Sequence, residues 1–146
     1  MSFSYNAERA IAAPPSIVWQ VLTNKQVLLD GDFGITQLDG DLVLGGKLVL
    51  RAAIAPKQTF KLKVTEFQPD QRMVWTGGMP FGLFSGKRTF TLNPDGAGTH
   101  FLVQEVFTGP MAGMIGKSMP DLQPSFDQFA DALKQVSESR AKGEAA

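Results

Sequence analysis

The 146-residue sequence contains no cysteine and a single histidine, His100. A chain without thiols forms no disulfide and offers no thiolate to zinc or to an iron–sulfur cluster. One histidine is also too few for a metal site built from several imidazoles. We therefore expect the protein to hold no metal ion and to use no cofactor.

A strong charge of either sign is absent as well. Fourteen basic residues balance fourteen acidic ones, and the basic residues form no run. Such a chain has no broad electrostatic attraction to nucleic acid or to an anionic membrane. No apolar stretch approaches the roughly 20 residues of a membrane-spanning helix, and the first five residues lack the pattern of a secretory signal. We expect a cytoplasmic protein, a monomer or a weak homodimer, that binds no nucleic acid.

Phenylalanine is the residue type that stands out. Eleven Phe accompany two Trp and one Tyr, and Phe adds bulk without a hydrogen-bonding group. This composition favours a dry interior, either a packed core or an apolar pocket. The length suggests one domain over residues 1–146. Residues 139–146 are small or charged, and we expect them to fray.

The start of the chain predicts one strand and two short helices. The predicted strand covers residues 2–12 and is followed by Pro14 and Pro15. Two prolines suit the entry of a helix, where a missing N–H costs little. Apolar residues at positions 17, 18, 21 and 22 then have helical spacing. Residues 24–32 predict a second, brief helix.

From Phe33 onward, apolar runs separated by turn residues predict an antiparallel meander. Gly45 and Gly46 suit a hairpin turn because both tolerate positive φ. The glycine-rich segment 77–82 predicts a mobile loop at the mouth of a pocket. The predicted strands cover residues 41–44, 47–50, 59–67, 73–75, 84–92 and 98–107.

The last third of the chain carries one long apolar stripe at helical spacing. Pro120 and Pro124 interrupt this stripe, so we expect a kink or a break near residues 119–121. The members of the stripe are Met111, Met114, Ile115, Met119, Leu122, Phe126, Phe129, Leu133 and Val136.

Five short segments, in this order, carry a resemblance to a known superfamily. They are residues 17–23 after the double proline, 73–75, 82–86, 98–101 and 105–109. The chain resembles the SRPBCC or START-like superfamily, which includes Bet v 1-like and polyketide cyclase-like proteins. The resemblance implies an α+β helix-grip fold, with a curved antiparallel sheet of about seven strands, two short helices and a long C-terminal helix over an apolar cavity. Members bind lipids, steroids, plant metabolites or polyketides, and only some of them are enzymes.

Strand alternation and the helical stripe together predict which side chains line this cavity. The predicted ligand-binding residues are Phe60, Leu62, Met73, Trp75, Arg88, Phe90, Phe101, Val103, Glu105, Phe107, Met111, Met114, Ile115 and Met119.

Glu105 and Arg88 are the charged members of that set. If Phe101, Val103 and Phe107 face inward, Glu105 does so too, and an inward Phe90 carries Arg88 with it. An isolated buried charge is expensive, so we expect the two to pair across neighbouring strands. The pair either fixes the strand register or orients the polar group of a ligand. A third interpretation makes Glu105 the general base of a cyclisation.

Three functions remain open on these patterns. The first is a non-catalytic module that binds a small hydrophobic or amphipathic molecule in the cavity. The second is a cyclase or dehydratase that uses Glu105 and Arg88 as its catalytic groups. The third is a chaperone cofactor-like domain in which the long helix and residues 77–84 dock a partner protein.

Overall fold

The computed structural model describes residues 3–143 and confirms the α+β helix-grip fold. The strands are β1 (Phe3–Ile11), β2 (Ile35–Asp39), β3 (Lys47–Ala52), β4 (Ala55–Gln68), β5 (Arg72–Met79), β6 (Phe84–Asp95) and β7 (Gly98–Thr108). The helices are α1 (Pro15–Leu22), α2 (Lys25–Asp30), α3 (Ala112–Ser118) and α4 (Gln123–Ala141), and a 3-10 turn covers Pro80–Gly82.

All seven strands form one antiparallel sheet in the order β1-β7-β6-β5-β4-β3-β2. Strands β2 to β7 follow one another as a meander, and β1 joins at the far edge by pairing with β7. The helix α4 packs on β1, β7 and α1. It thereby covers the inner face of the sheet, and the core lies between the two.

Alternation along the strands explains which face is buried. In β7, Phe101, Val103 and Phe107 are buried, and Glu105 is buried with them. In β4, Lys61 and Lys63 are exposed while their neighbours face the interior. The period of two in the sequence therefore predicted the inner face of these strands correctly.

The predicted strand over residues 41–44 is wrong. These residues instead belong to the connection between β2 and β3. A positive φ at Gly40 turns the backbone away from β2. Gly45 does not close a two-strand hairpin, because its N–H donates to the carbonyl of Val64 in β4 at 2.8 Å. Val43 and Leu44 are exposed. Their apolar run resembles a strand in sequence, but it belongs to the connection.

The glycine-rich loop is also shorter than the loop predicted over residues 77–82. Gly77 and Gly78 belong to β5 and pair with Gly86 and Ser85 of β6. The connection is reduced to the Pro80–Gly82 turn. At its tip Phe81 has a φ of 63° and is 98% exposed. The mobility of this turn stays a prediction.

The break in the C-terminal helical region is confirmed. The helix α3 ends at Ser118 and α4 begins at Gln123. Pro120 lies between them, and Pro124 sits in the first turn of α4, where its missing N–H costs little. The helix α4 continues through Ala141, past the start of the segment predicted to fray, and residues 144–146 lie outside the described residues. Within residues 3–143, no helix is both long and apolar enough to cross a bilayer.

Polar contacts fix how α4 lies against β1. Arg9 donates to Asp131 at 2.7 Å and is 3.5 Å from Asp127. Further along the helix, the Glu138 carboxylate accepts the backbone N–H of Ala12 at 2.8 Å. These contacts set the rotation of α4, so that Phe126, Phe129 and Leu133 face the sheet.

Replacing Phe126 with alanine tests the packing of α4. Its ring is buried and stacks on Tyr5 with centroids 5.8 Å apart. We expect Phe126→Ala to lower the free energy of unfolding by about 3–5 kcal/mol, because a buried ring is replaced by a void. Urea denaturation measures the change. Gln135→Ala, on the exposed face of the same helix, should change stability by less than about 0.5 kcal/mol. Equal midpoints for the two variants would contradict the packing.

Acid should weaken the contact between α4 and the end of β1. The backbone N–H of Ala12, and then Lys134, lower the pKa of Glu138 below its usual 4.5. This contribution is complete above the unfolded pKa and is lost as the pH falls through the lowered folded value. Glu138→Gln should therefore be less stable than the wild type at pH 7, with the difference shrinking below pH 4.5. Urea titrations across this pH range should show the stabilities of the two proteins converging. A stability difference that stays constant with pH would refute the contribution of the Glu138 contacts.

Candidate functional site

A cavity lies between the inner face of the sheet and α4. Its volume is about 50 Å³, which is room for a few water molecules or one small chemical group. We call it the inner cavity. It is lined by Phe33, Gly34, Ile35, Leu50, Ala52, Ile54, Ala55, Phe60, Leu62, Arg88, Phe90, Val103, Glu105, Phe107, Leu122, Ser125, Phe126 and Phe129.

A wider space adjoins the inner cavity on the side of α3. This outer groove has a volume of about 360 Å³. It shares Phe60, Leu62, Glu105 and Phe107 with the inner cavity, so these four side chains form the wall between the two spaces. The outer groove is lined by Gln58, Thr59, Phe60, Lys61, Leu62, Gly77, Gly78, Phe84, Gly86, Glu105, Phe107, Ile115, Ser118 and Met119.

Arg88 and Glu105 form the predicted pair on the inner face of the sheet. They lie directly opposite each other on β6 and β7. Both Nε and Nη2 of Arg88 donate to the same oxygen, Oε1 of Glu105, at 2.9 and 2.6 Å. The side chains are 19% and 7% exposed, respectively. The predicted contact is confirmed, and it is a charge-assisted double hydrogen bond in a largely dry environment.

Aromatic rings hold the guanidinium of Arg88 from two sides. Its Cζ atom lies 4.8 Å from the ring centre of Phe126 on α4 and 6.0 Å from that of Trp75 on β5. A cation at such distances from a ring face is attracted by the ring. The indole Nε1 of Trp75 is buried and has no hydrogen-bond partner among residues 3–143, so Trp75 contacts Arg88 through its ring.

Gly86 leaves the space that Glu105 occupies. A Cβ atom at position 86 would lie 3.1 Å from Glu105 Oε2 and 3.0 Å from the ring of Phe107. Both contacts are tighter than ordinary van der Waals packing. A larger residue would therefore push the carboxylate or the ring aside. Nothing in the sequence indicated that Gly86 makes room for Glu105.

The structure brings half of the predicted ligand-binding residues to the inner cavity. Ile115 and Met119 line the outer groove. Those at the inner cavity are Phe60, Leu62, Arg88, Phe90, Val103, Glu105 and Phe107.

The other five predicted residues line neither space. Met73, Trp75 and Phe101 are fully buried in the core. Met111 immediately precedes α3, and Met114 is exposed on that helix. The helix break explains the methionines, because α3 is a separate short helix whose orientation the apolar stripe did not specify.

Sequence reasoning missed the wall formed by β2, β3 and α4. Ile35 and Leu50 lie in strands whose bounds were predicted imperfectly or not at all. Phe126 and Phe129 were predicted for the apolar stripe but were not assigned to the cavity. Their spacing from Leu122 on one helical face was the signal that could have found them.

The side chains of the site offer hydrogen bonding and apolar contact. In the described part of the chain, no group of three or more histidine, aspartate or glutamate side chains could hold a metal ion. The polar groups at the inner cavity are Arg88, Glu105 and the hydroxyl of Ser125. A mostly apolar pocket with a few convergent polar groups is typical of small-molecule sites.

The family follows from the sequence. A family model described as polyketide cyclase / dehydrase and lipid transport matches residues 2–138. The chain belongs to this family. Its membership confirms the resemblance to the SRPBCC superfamily that five short segments carried. A comparison with curated proteins found no match.

Solved structures share the fold of this polyketide cyclase and lipid-transport family member. A protein from Mesorhizobium loti has a TM-score of 0.70 at 21% identity, covering 92% of this chain and 96% of that one. A norcoclaurine synthase point mutant from Thalictrum flavum, in complex with a transition-state analogue, has a TM-score of 0.72 at 14% identity and covers 96% of each chain. A hypothetical protein from Helicobacter pylori has a TM-score of 0.73 at 16% identity, covering 92% of this chain and 88% of that one. At these identities the likeness shows the fold alone.

Removing Arg88 tests how strongly the pair is coupled. We expect Arg88→Ala to lower the free energy of unfolding by about 3–5 kcal/mol at neutral pH, because Glu105 is left buried without its partner. Arg72→Ala is the matched control, since its ion pair with Glu66 is 39% and 33% exposed. That change should cost about 1 kcal/mol or less. Similar urea midpoints for the two variants would show that Glu105 does not depend on Arg88.

Proposed function

We propose that this protein binds a small hydrophobic or amphipathic molecule that spans the outer groove and the inner cavity. The observation that carries the proposal is the Arg88–Glu105 pair, which lies at an otherwise apolar cavity. A polar pair of this kind orients a ligand whose body is held by apolar contacts. The family description, which includes lipid transport, supports the same function.

The volumes of the two spaces favour a ligand that uses both. Pockets for small molecules usually measure about 300–1,000 Å³. The inner cavity, at about 50 Å³, is too small alone, whereas the outer groove measures about 360 Å³. The shared wall contains Phe60, Leu62 and Phe107, whose rotation would join the two spaces. We therefore propose that the ligand enters by the groove and places its end in the cavity.

An enzymatic function of the cyclase or dehydratase kind is the second candidate. One observation favours it: Glu105 lines both spaces, and within residues 3–143 its Oε2 makes no hydrogen bond. That oxygen is the one that would accept a proton from a bound substrate. Arg88 already donates twice to the other oxygen, which favours the binding function. Turnover that Glu105→Gln abolishes, with ligand affinity retained, would establish the enzyme.

A neutral fluorescent probe tests the binding function. N-phenyl-1-naphthylamine should bind the wild-type protein saturably, with increased fluorescence. Ser125→Phe should abolish the increase, because a ring at this half-buried lining position fills the inner cavity. Gln135→Phe adds the same ring to the exposed face of α4 and should bind the probe as the wild type does. No saturable signal in the wild type, or an unchanged signal in Ser125→Phe, would contradict the proposal.

A further inference from the structure

The charges at the inner cavity restrict the chemistry of the group that enters it. We infer that the buried end of the ligand is an uncharged polar group that both donates and accepts hydrogen bonds, such as a hydroxyl. The inner cavity selects against a free carboxylate and against an ammonium. This inference rests on the proposed binding function and names the class of ligand that the site takes.

Within residues 3–143, the hydrogen bonds of the pair leave three N–H donors of Arg88 and one carboxylate oxygen of Glu105 unused. Because Nε and Nη2 of Arg88 both bond to Oε1 of Glu105, Nη1 of Arg88 and Oε2 of Glu105 make no hydrogen bond within residues 3–143. Both side chains line the inner cavity. A hydroxyl oxygen accepts from a guanidinium, and its hydrogen donates to a carboxylate. A hydroxyl therefore carries both the acceptor that Arg88 can bind and the donor that Glu105 can bind.

The net charge of the inner cavity is zero. Arg88 and Glu105 are its charged lining side chains, and the rest of the lining is apolar apart from Gly34 and the Ser125 hydroxyl. A carboxylate placed here would add a second negative charge beside Glu105 without a free cation to balance it. An ammonium would add a second positive charge beside Arg88 without a free anion to balance it. In a dry site an unbalanced charge is costly, whereas a neutral polar group needs only its hydrogen bonds.

The outer groove differs from the inner cavity in its exposure to water, although Glu105 lines both spaces. Lys61 lines the groove and is exposed, and the adjacent lining residues Gln58 and Thr59 are exposed and polar. A charged part of a ligand would be accommodated here, in contact with water. The polarity of the two spaces thus sets the orientation of the ligand. Its neutral end lies in the inner cavity, and any charged end lies in the outer groove.

Three probes with the same ten-carbon chain test the selection. Isothermal titration at pH 7 compares 1-decanol, decanoate and decylammonium, which differ only in the head group. We expect 1-decanol to bind at least about tenfold more tightly than either charged probe. Decanoate binding as tightly as 1-decanol, or more tightly, would overturn the inference while leaving the binding function intact. Failure of all three probes to bind, together with no signal from the naphthylamine probe, would remove the binding function as well.

A change at Glu105 should shift the preference toward decanoate. Glu105→Gln keeps the shape of the side chain but leaves the charge of Arg88 unbalanced, so decanoate should gain at least about tenfold relative to 1-decanol. Glu8→Gln is the matched control, because Glu8 is an exposed carboxylate that meets His100 outside the cavity. It should keep the wild-type order. An unchanged ratio of the decanoate and 1-decanol affinities in a folded Glu105→Gln protein would overturn the role of the pair; if that variant does not fold, the wild-type comparison decides.

Discussion

The ion pair between Arg88 and Glu105 is the interaction on which the site depends. It links β6 and β7 on the inner face of the sheet, where an unpaired charge would be expensive. Three other features follow from it. Gly86 must stay small so that the carboxylate fits, and Phe126 of α4 packs over the guanidinium. Phe107 closes the space beside the carboxylate, between the rings of Phe3 and Phe84.

The position of α4 turns this pair into part of a cavity. Contacts of Arg9 and Glu138 with the helix and with β1 fix α4 over the sheet. The break at Pro120 then allows α3 to take a separate direction and to form one side of the outer groove. A single continuous helix would place these residues in one line. Two helices enclose two adjoining spaces of different polarity, which is the arrangement that the proposed ligand requires.

The sequence predicted this centre because the physical rules behind it are local. Alternation along β6 and β7 places Arg88 and Glu105 on the inner face, and the cost of an isolated charge predicts that they meet. The helix break followed from Pro120 in the same way. These predictions needed only the period of a strand and the chemistry of one residue.

The remaining parts depend on packing between distant segments, which local rules do not describe. Residues 41–44 were predicted as a strand, but the N–H of Gly45 donates to Val64 in β4 and the segment is a connection. Gly77 and Gly78 look like a loop, yet β6 supplies their strand partners. Ile35 was missed because β2 was not predicted as a strand, whereas Leu50 lies in a predicted strand but was not assigned to the cavity. Met114 was assigned to the cavity because helical spacing gives a stripe without saying what it faces.

A double-mutant cycle on the pair tests the central claim most directly. Arg88→Met, Glu105→Leu and the double variant would be unfolded in urea, and the coupling free energy would be taken from the four stabilities. Each single change leaves one buried charge alone, whereas the double change leaves none. We expect the double variant to be more stable than either single variant. Single effects that simply add, with the double variant the least stable of the three, would contradict it.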